Sequence, residues 1–277
     1  MKKPGIEVLK KRLTSLLLPI FLWVTLECAG RAAILIIRHQ FNFIEFAHTY
    51  IDRFTGSLWF LWATFWCSLI VLLIEKAFKG KLWIYALLLI PMLFVPAVYN
   101  LHMYVYLYPF FVAGSMFNKY DGVHRYKQTV KKDWYALVIA AVVFIILFLF
   151  YGRDSFIYTT KISVLGEKGV AQPAVDVYRW TIGFAGSITV ILLCKIICDR
   201  WQGAGAKLLA YFGQISLGIY ILNSYTNSYL LQSITGGMRP NVLIWILESL
   251  ANMMLYCSIV FILKKIPMAN KLLLGGR

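Results

Sequence analysis

Apolar runs long enough to cross a bilayer alternate along this chain with short polar connectors, and that rhythm sets the expected fold. Eight runs stand out: Leu13–Ile37, Ser57–Ile74, Leu82–Tyr99, Met103–Phe117, Trp134–Tyr151, Arg179–Cys198, Leu208–Gln232 and Val242–Leu263. Lys10, Lys11 and Arg12 stand directly before the first. At ~1.5 Å per residue that run reaches ~37 Å, against a hydrocarbon core of ~30 Å. Met103–Phe117 is short, so its flanks must complete the crossing. Pro91 and Pro96 predict a kink in the third run, which a bundle tolerates where neighbours satisfy the freed carbonyls. The expected fold class is all-α: a polytopic membrane helix bundle of about eight transmembrane helices, one domain over 1–277. The first run is too long for the apolar part of a secretory signal and lacks a small-residue cleavage site, so it is expected to stay as the first span.

Composition agrees with this pattern. The chain is 60% hydrophobic and only 14% charged, where soluble domains carry about 25% charged residues. A net charge of +16 invites a nucleic-acid reading, but the cations lie in connectors and build no basic face on a soluble domain. They also alternate. One set holds Lys2 to Arg12, Lys76–Lys81, Lys119–Lys132, Lys195–Lys207 and Lys264–Arg277; the other side has only Arg38, Arg53, Arg153, Lys161, Lys168 and Arg239. By the positive-inside rule both termini are expected in the cytosol, with the chain integral to a bacterial cytoplasmic (inner) membrane. All five cysteines fall in apolar runs without a CxxC pair, which reads as apolar packing.

Polar groups within the spans need a partner, a cavity or a role. Glu27 and Arg31 are four apart on one face of the first span. Glu27 lies ~21 Å above the cytosolic end, Asn223 ~22 Å above Leu208, and Glu248 ~9 Å below the outer edge, or ~21 Å from the cytosol. Three spans thus bring polar groups toward one layer, which predicts a polar cavity open to the outside. A structural pair explains Glu27 and Arg31 equally well. Gly213, Ser216, Tyr220, Asn223 and Asn227 form a stripe in span seven, read at Gly213 and Ser216 as helix packing. Trp59, Trp62 and Trp66 share a face of span two, as an aromatic belt or a stacking surface for a sugar ring. The long connectors His39–Gly56 and Gly152–Tyr178, with Asp52, Asp154, Glu167 and Asp176, read as solvated loops, and His39 and His48 as surface histidines. Paired-histidine metal spacing, a phosphate-cradling glycine loop and a GxSxG elbow are all missing from the sequence.

Four stretches in order, VLKKRLTSLLLPIFLW (8–23), GSLWFLWATFW (56–66), YPFFVAGSMF (108–117) and YFGQISLGIYILNSY (211–225), resemble acyltransferase family 3. These are bacterial membrane proteins that move acyl groups onto cell-surface carbohydrates. The family has ten spans, and its first carries an arginine, ten intervening residues and a catalytic histidine. The match at Pro19 places the start of this chain after the family's second span, so the catalytic histidine has no counterpart here. The arginine-x-x-arginine motif before that proline keeps Arg12 but has Ser15 in the second place, and Asn223 stands where the family often has histidine.

The resemblance implies an O-acyltransferase taking an acyl group from acyl-CoA, a cosubstrate rather than a bound cofactor, to a hydroxyl of a cell-surface or lipid-linked carbohydrate. Lys10, Lys11 and Arg12 would hold donor phosphates, though membrane-surface anchoring explains them as well. Glu27, Asn223 and Glu248 would line the acceptor side, with Glu27 orienting rather than deprotonating the acceptor, and Trp59 would stack on it. A transporter or flippase of a lipid-linked glycan is the alternative, since intramembrane carboxylates and a polar cavity suit it too. A third reading is a subunit whose missing helices come from a partner polypeptide.

Overall fold

A computed structural model describes residues 5–95, 100–120, 133–162, 171–200, 203–226 and 242–276. Among these residues the chain is helix joined by short turns, with no strand. The order is α1 (Gly5–Arg12), a π-helical turn (Leu13–Leu17), α2 (Leu18–Ile37), α3 (Phe43–Gly56), α4 (Trp59–Phe78), α5 (Leu82–Met92) and α6 (Leu101–Lys119). Then come α7 (Asp133–Leu149), a 3-10 turn (Arg153–Ser155), α8 (Gln172–Arg200), α9 (Ala204–Thr226), α10 (Val242–Lys265) and α11 (Pro267–Leu273). Each of the eight apolar runs has a helix. Among the described residues five stretches are long and apolar enough to cross a membrane: Leu9–Ile37, Trp59–Phe78, Gln172–Arg200, Ala204–Tyr225 and Ile246–Lys265; Leu82–Met92 and Asp133–Leu149 are apolar but shorter. Along α7 only Asp133 and Leu137 are buried, and Leu149 is 77% exposed. A face that apolar calls for lipid as its solvent.

The residues cluster into two compact units, 1–62 with 210–277 and 63–209. In the first, the π turn widens the helix just ahead of Pro19, where proline supplies no N–H and its ring crowds the carbonyl one turn back. That carbonyl, Ser15 O, faces the C-terminal end of the chain. A Cβ at Gly275, whose φ is +71°, would stand 2.4 Å from it, so only glycine fits there. Ile215, Leu222, Tyr256, Val260 and Leu274 form the buried core of this unit, with Trp23 packed against it. The helix-packing glycine of α9 is Gly218, whose Cβ position falls 2.7 Å from Val260. This corrects the expectation at Gly213 and Ser216: both are exposed, and nothing approaches the Gly213 Cβ position. Asn227 lies outside the described residues, as do Pro96, Glu167 and many connector cations.

The second unit buries Cys67, Val71, Ile74, Tyr85 and Tyr108 where α4, α5 and α6 meet, and Tyr108 donates to Tyr85 O at 3.1 Å. Asp176 is not in the solvated loop expected for it. Helix α8 starts seven residues earlier than its apolar run, and Asp176 is 3% exposed. Arg179 binds Asp176 at 2.8 Å, Ser155 O at 3.0 Å, Asp154 O at 2.7 Å and the Thr160 hydroxyl. Gln172 adds bonds to Asp176 and Lys161 O. A buried guanidinium persists only with such full pairing. Lys195, expected as a connector cation, is buried instead and pairs with Asp133.

Candidate functional site

The site lies wholly in the unit of 1–62 and 210–277 and begins with a hairpin. Asn42 caps α3, its side-chain oxygen accepting the N–H of Ile44 at 3.0 Å and of Glu45 at 3.4 Å. Helix α3 then runs back along α2, joined to it by the hydroxyls of Thr25 and Tyr50 at 3.1 Å. The stretch 43–56, expected as part of a connecting loop, is thus a helix that presents Arg53 to the middle of α2.

Glu27 sits between two guanidinium groups. Its Oε1 is 3.1 Å from Arg31 Nη2, accepts Arg31 Nε at 3.2 Å, and stands 3.5 Å from Arg53 Nη1. Its Oε2 is buried and accepts no hydrogen bond among the described residues. An unmatched carboxylate oxygen is costly in a protein interior, so the arrangement keeps one acceptor in reserve. Around it opens a cavity of about 570 Å³ lined by Trp23, Leu26, Glu27, Arg31 and Tyr225. Trp23 stacks on Tyr225 with ring centroids 5.7 Å apart and planes at 18°. The indole is pinned by its N–H, which donates to Leu273 O at 3.0 Å, so α11 fixes this wall.

A second cavity of about 460 Å³ adjoins it, lined among others by Asp52, Arg53, Ser57, Trp59, Tyr220 and Tyr225. Tyr225 is common to both, and its hydroxyl lies 3.4 Å from that of Ser57. Tyr220 is held by Phe60 N–H, which donates to its hydroxyl at 3.2 Å. Both volumes fall in the ~300–1,000 Å³ range of small-ligand sites.

The sequence-predicted residues divide. Glu27 lines the first cavity and Trp59 the second. Asn223 is exposed and Glu248 half-buried, and neither lines either cavity. Lys10 and Lys11 are exposed and Arg12 half-buried on the last turn of α1, to which the Thr14 hydroxyl ties the π turn by donating to Lys10 O at 3.1 Å and Lys11 O at 3.2 Å. Trp62 turns inward, donating to Phe54 O at 2.8 Å, while Trp66 is exposed and meets Phe65 edge-on. Arg53, Trp23 and Tyr225 were missed. The signal for Arg53 was in the sequence: Asn42 followed three residues on by Glu45 is a helix start. Trp23 and Tyr225 gave no such signal, since their pairing is a tertiary contact.

Helices that expose apolar faces and carry a cavity walled by aromatic and charged side chains define an integral membrane protein. A family profile described as an acyltransferase domain matches residues 2–263. The chain belongs to acyltransferase family 3. It is similar to nodulation protein NolL of Mesorhizobium japonicum, 24% identical over 227 residues, covering 79% of this chain and 56% of the relative. The chain therefore spans little more than half of that relative's length. No solved structure matches it.

Proposed function

We propose that this protein is a membrane O-acyltransferase that carries an acyl group from acyl-CoA to a hydroxyl of a carbohydrate at the membrane surface. Family membership supports the reaction class. The observation that carries the rest is the Glu27 carboxylate: one oxygen braced by two arginines, the other buried and, among the described residues, unmatched beside stacked aromatic rings. In this reading Oε2 accepts the hydrogen of the acceptor hydroxyl and fixes the direction of its oxygen lone pair. Trp23 and Tyr225 hold the apolar edge of the sugar ring. The hydroxyl oxygen adds to the thioester carbonyl, the carbon–sulfur bond breaks, and the hydroxyl proton leaves with CoA as its thiol.

Lys10, Lys11 and Arg12 serve the donor. The two lysines offer point charges to its phosphates and Arg12 a fork. Arg12 and Glu27 are separated by ~22 Å of helix rise, a gap suited to the extended arm that joins the CoA phosphates to the thioester. With the cation-rich connectors in the cytosol, acyl-CoA enters from below and the carbohydrate from the opposite face, in the cytoplasmic membrane.

The test uses purified full chain in nanodiscs, labelled acyl-CoA and a carbohydrate acceptor. The expected result is an acyl ester on the sugar, lost in the Lys11→Ala, Arg12→Ala double variant. Movement of the sugar across a vesicle membrane without ester formation would establish a transporter instead.

A further inference from the structure

The two cavities repeat one chemistry. The first sets the indole of Trp23 beside the carboxylate of Glu27 and the guanidinium of Arg31; the second sets Trp59 beside Asp52 and Arg53. Tyr225 walls both, and the Glu27–Arg53 ion pair links a residue of the first cavity to one of the second. Each cavity has the composition that suits a pyranose: an aromatic face for its C–H surface, and a carboxylate and a guanidinium to accept from and donate to its hydroxyls. Together they balance their charge, Glu27 and Asp52 against Arg31 and Arg53, so the pair favours a neutral ligand over an anionic one. Both arginines remain reachable, with side chains 38% and 42% exposed.

We infer that the acceptor is a neutral oligosaccharide of at least two rings: the acylated residue sits beside Glu27, and the next residue lies against Trp59 across the Tyr225 partition. This rests on the acyltransferase reading only for which ring is acylated. The second subsite is a matter of binding alone. It places on Trp59, Asp52, Arg53 and Ser57 the length selectivity of the acceptor.

The experiment measures affinity by titration calorimetry, using the full chain in nanodiscs without acyl-CoA. The probes are the methyl glycosides of glucose, galactose and N-acetylglucosamine, each paired with its β-1,4-linked dimer. At least one dimer should bind about tenfold more tightly than its monomer, the scale of one added aromatic stack. Trp59→Ala should bring that ratio close to one, and Trp59→Phe, which keeps a ring, should restore most of it. The inference is overturned if no sugar binds, if every dimer matches its monomer, or if Trp59→Ala leaves the ratio intact. Binding is read without donor, so a failure of acyl transfer leaves a length-selective result standing. Conversely, equal kcat/KM for one-ring and two-ring acceptors would remove the second subsite while keeping the enzyme.

Discussion

At Glu27 the two carboxylate oxygens have different surroundings, and the difference decides what the residue can do. Oε1 is held by Arg31 along its own helix and by Arg53 from α3, while Oε2 is buried without a partner among the described residues. Glu27→Gln keeps the shape but replaces one oxygen with an NH₂ that donates. The amide must then either point that donor at the arginines or turn it toward the acceptor hydroxyl. In the first case the amide repels its arginine brace and holds its remaining oxygen loosely before the hydroxyl; in the second the hydroxyl meets a donor in place of an acceptor. We expect kcat/KM for acyl transfer to fall by about 10²-fold, the usual scale for a misplaced reacting group, with the thermal midpoint changed much less than in Glu27→Ala. Equal losses in both variants would reduce Glu27 to a structural brace. Its membrane position made Glu27 legible in the sequence, and the i,i+4 spacing made Arg31 legible. The second guanidinium was not, because Arg53 reaches Glu27 only through the fold of an intervening hairpin.

Helix α3 carries that second guanidinium and depends on a short capping signal. Its first turn is satisfied by Asn42, while three of its aromatic side chains, Phe46, Tyr50 and Phe54, form a ladder with centroids 6.3–6.5 Å apart. Asn42→Ala should cost about 1 kcal/mol of helix stability. Amide hydrogen exchange should then quicken across 43–56 while α2 stays protected, and acyl transfer should drop along with it because Arg53 loses its platform. Unchanged exchange in 43–56 would show that the aromatic ladder alone holds the helix. The element scale is where reading by hydropathy misleads. Apolar runs locate the spans, but α3 is amphipathic and carries Glu45, His48, Asp52 and Arg53, so hydropathy makes it a loop. The same bias made Asp176 a loop residue, although it is the buried partner of Arg179. Charged residues in a membrane protein were taken for water-facing ones, and pairing overrides that expectation where geometry is complete.

For the molecule as a whole, the sequence made the helical class and the membrane setting legible, because lipid forces both: every backbone group must be satisfied within the segment, and every outward face must be apolar. The meeting of Asn223 and Glu248 with Glu27 was inferred from depth alone. Depth fixes height in the bundle but not the direction around each helix axis, and neither side chain lines the Glu27 cavity. Orientation in the membrane rests on the connectors. Lys195 leaves the count, being neutralised by Asp133 inside the bundle, but Lys76 on the last turn of α4 and Lys79 and Lys81 on the connector after it are all exposed. The opposite set includes Arg153, next to Gly152, where nothing stands within 4 Å of an added Cβ. In a background with all five cysteines replaced by serine, Gly152→Cys should react with a membrane-impermeant maleimide added to intact cells. Lys81→Cys should react only after permeabilisation. The reverse pattern would place the Lys10–Arg12 cluster away from cytosolic acyl-CoA and remove the donor half of the mechanism, whereas equal labelling of both positions would mean that α4 and the helices after it do not hold one orientation.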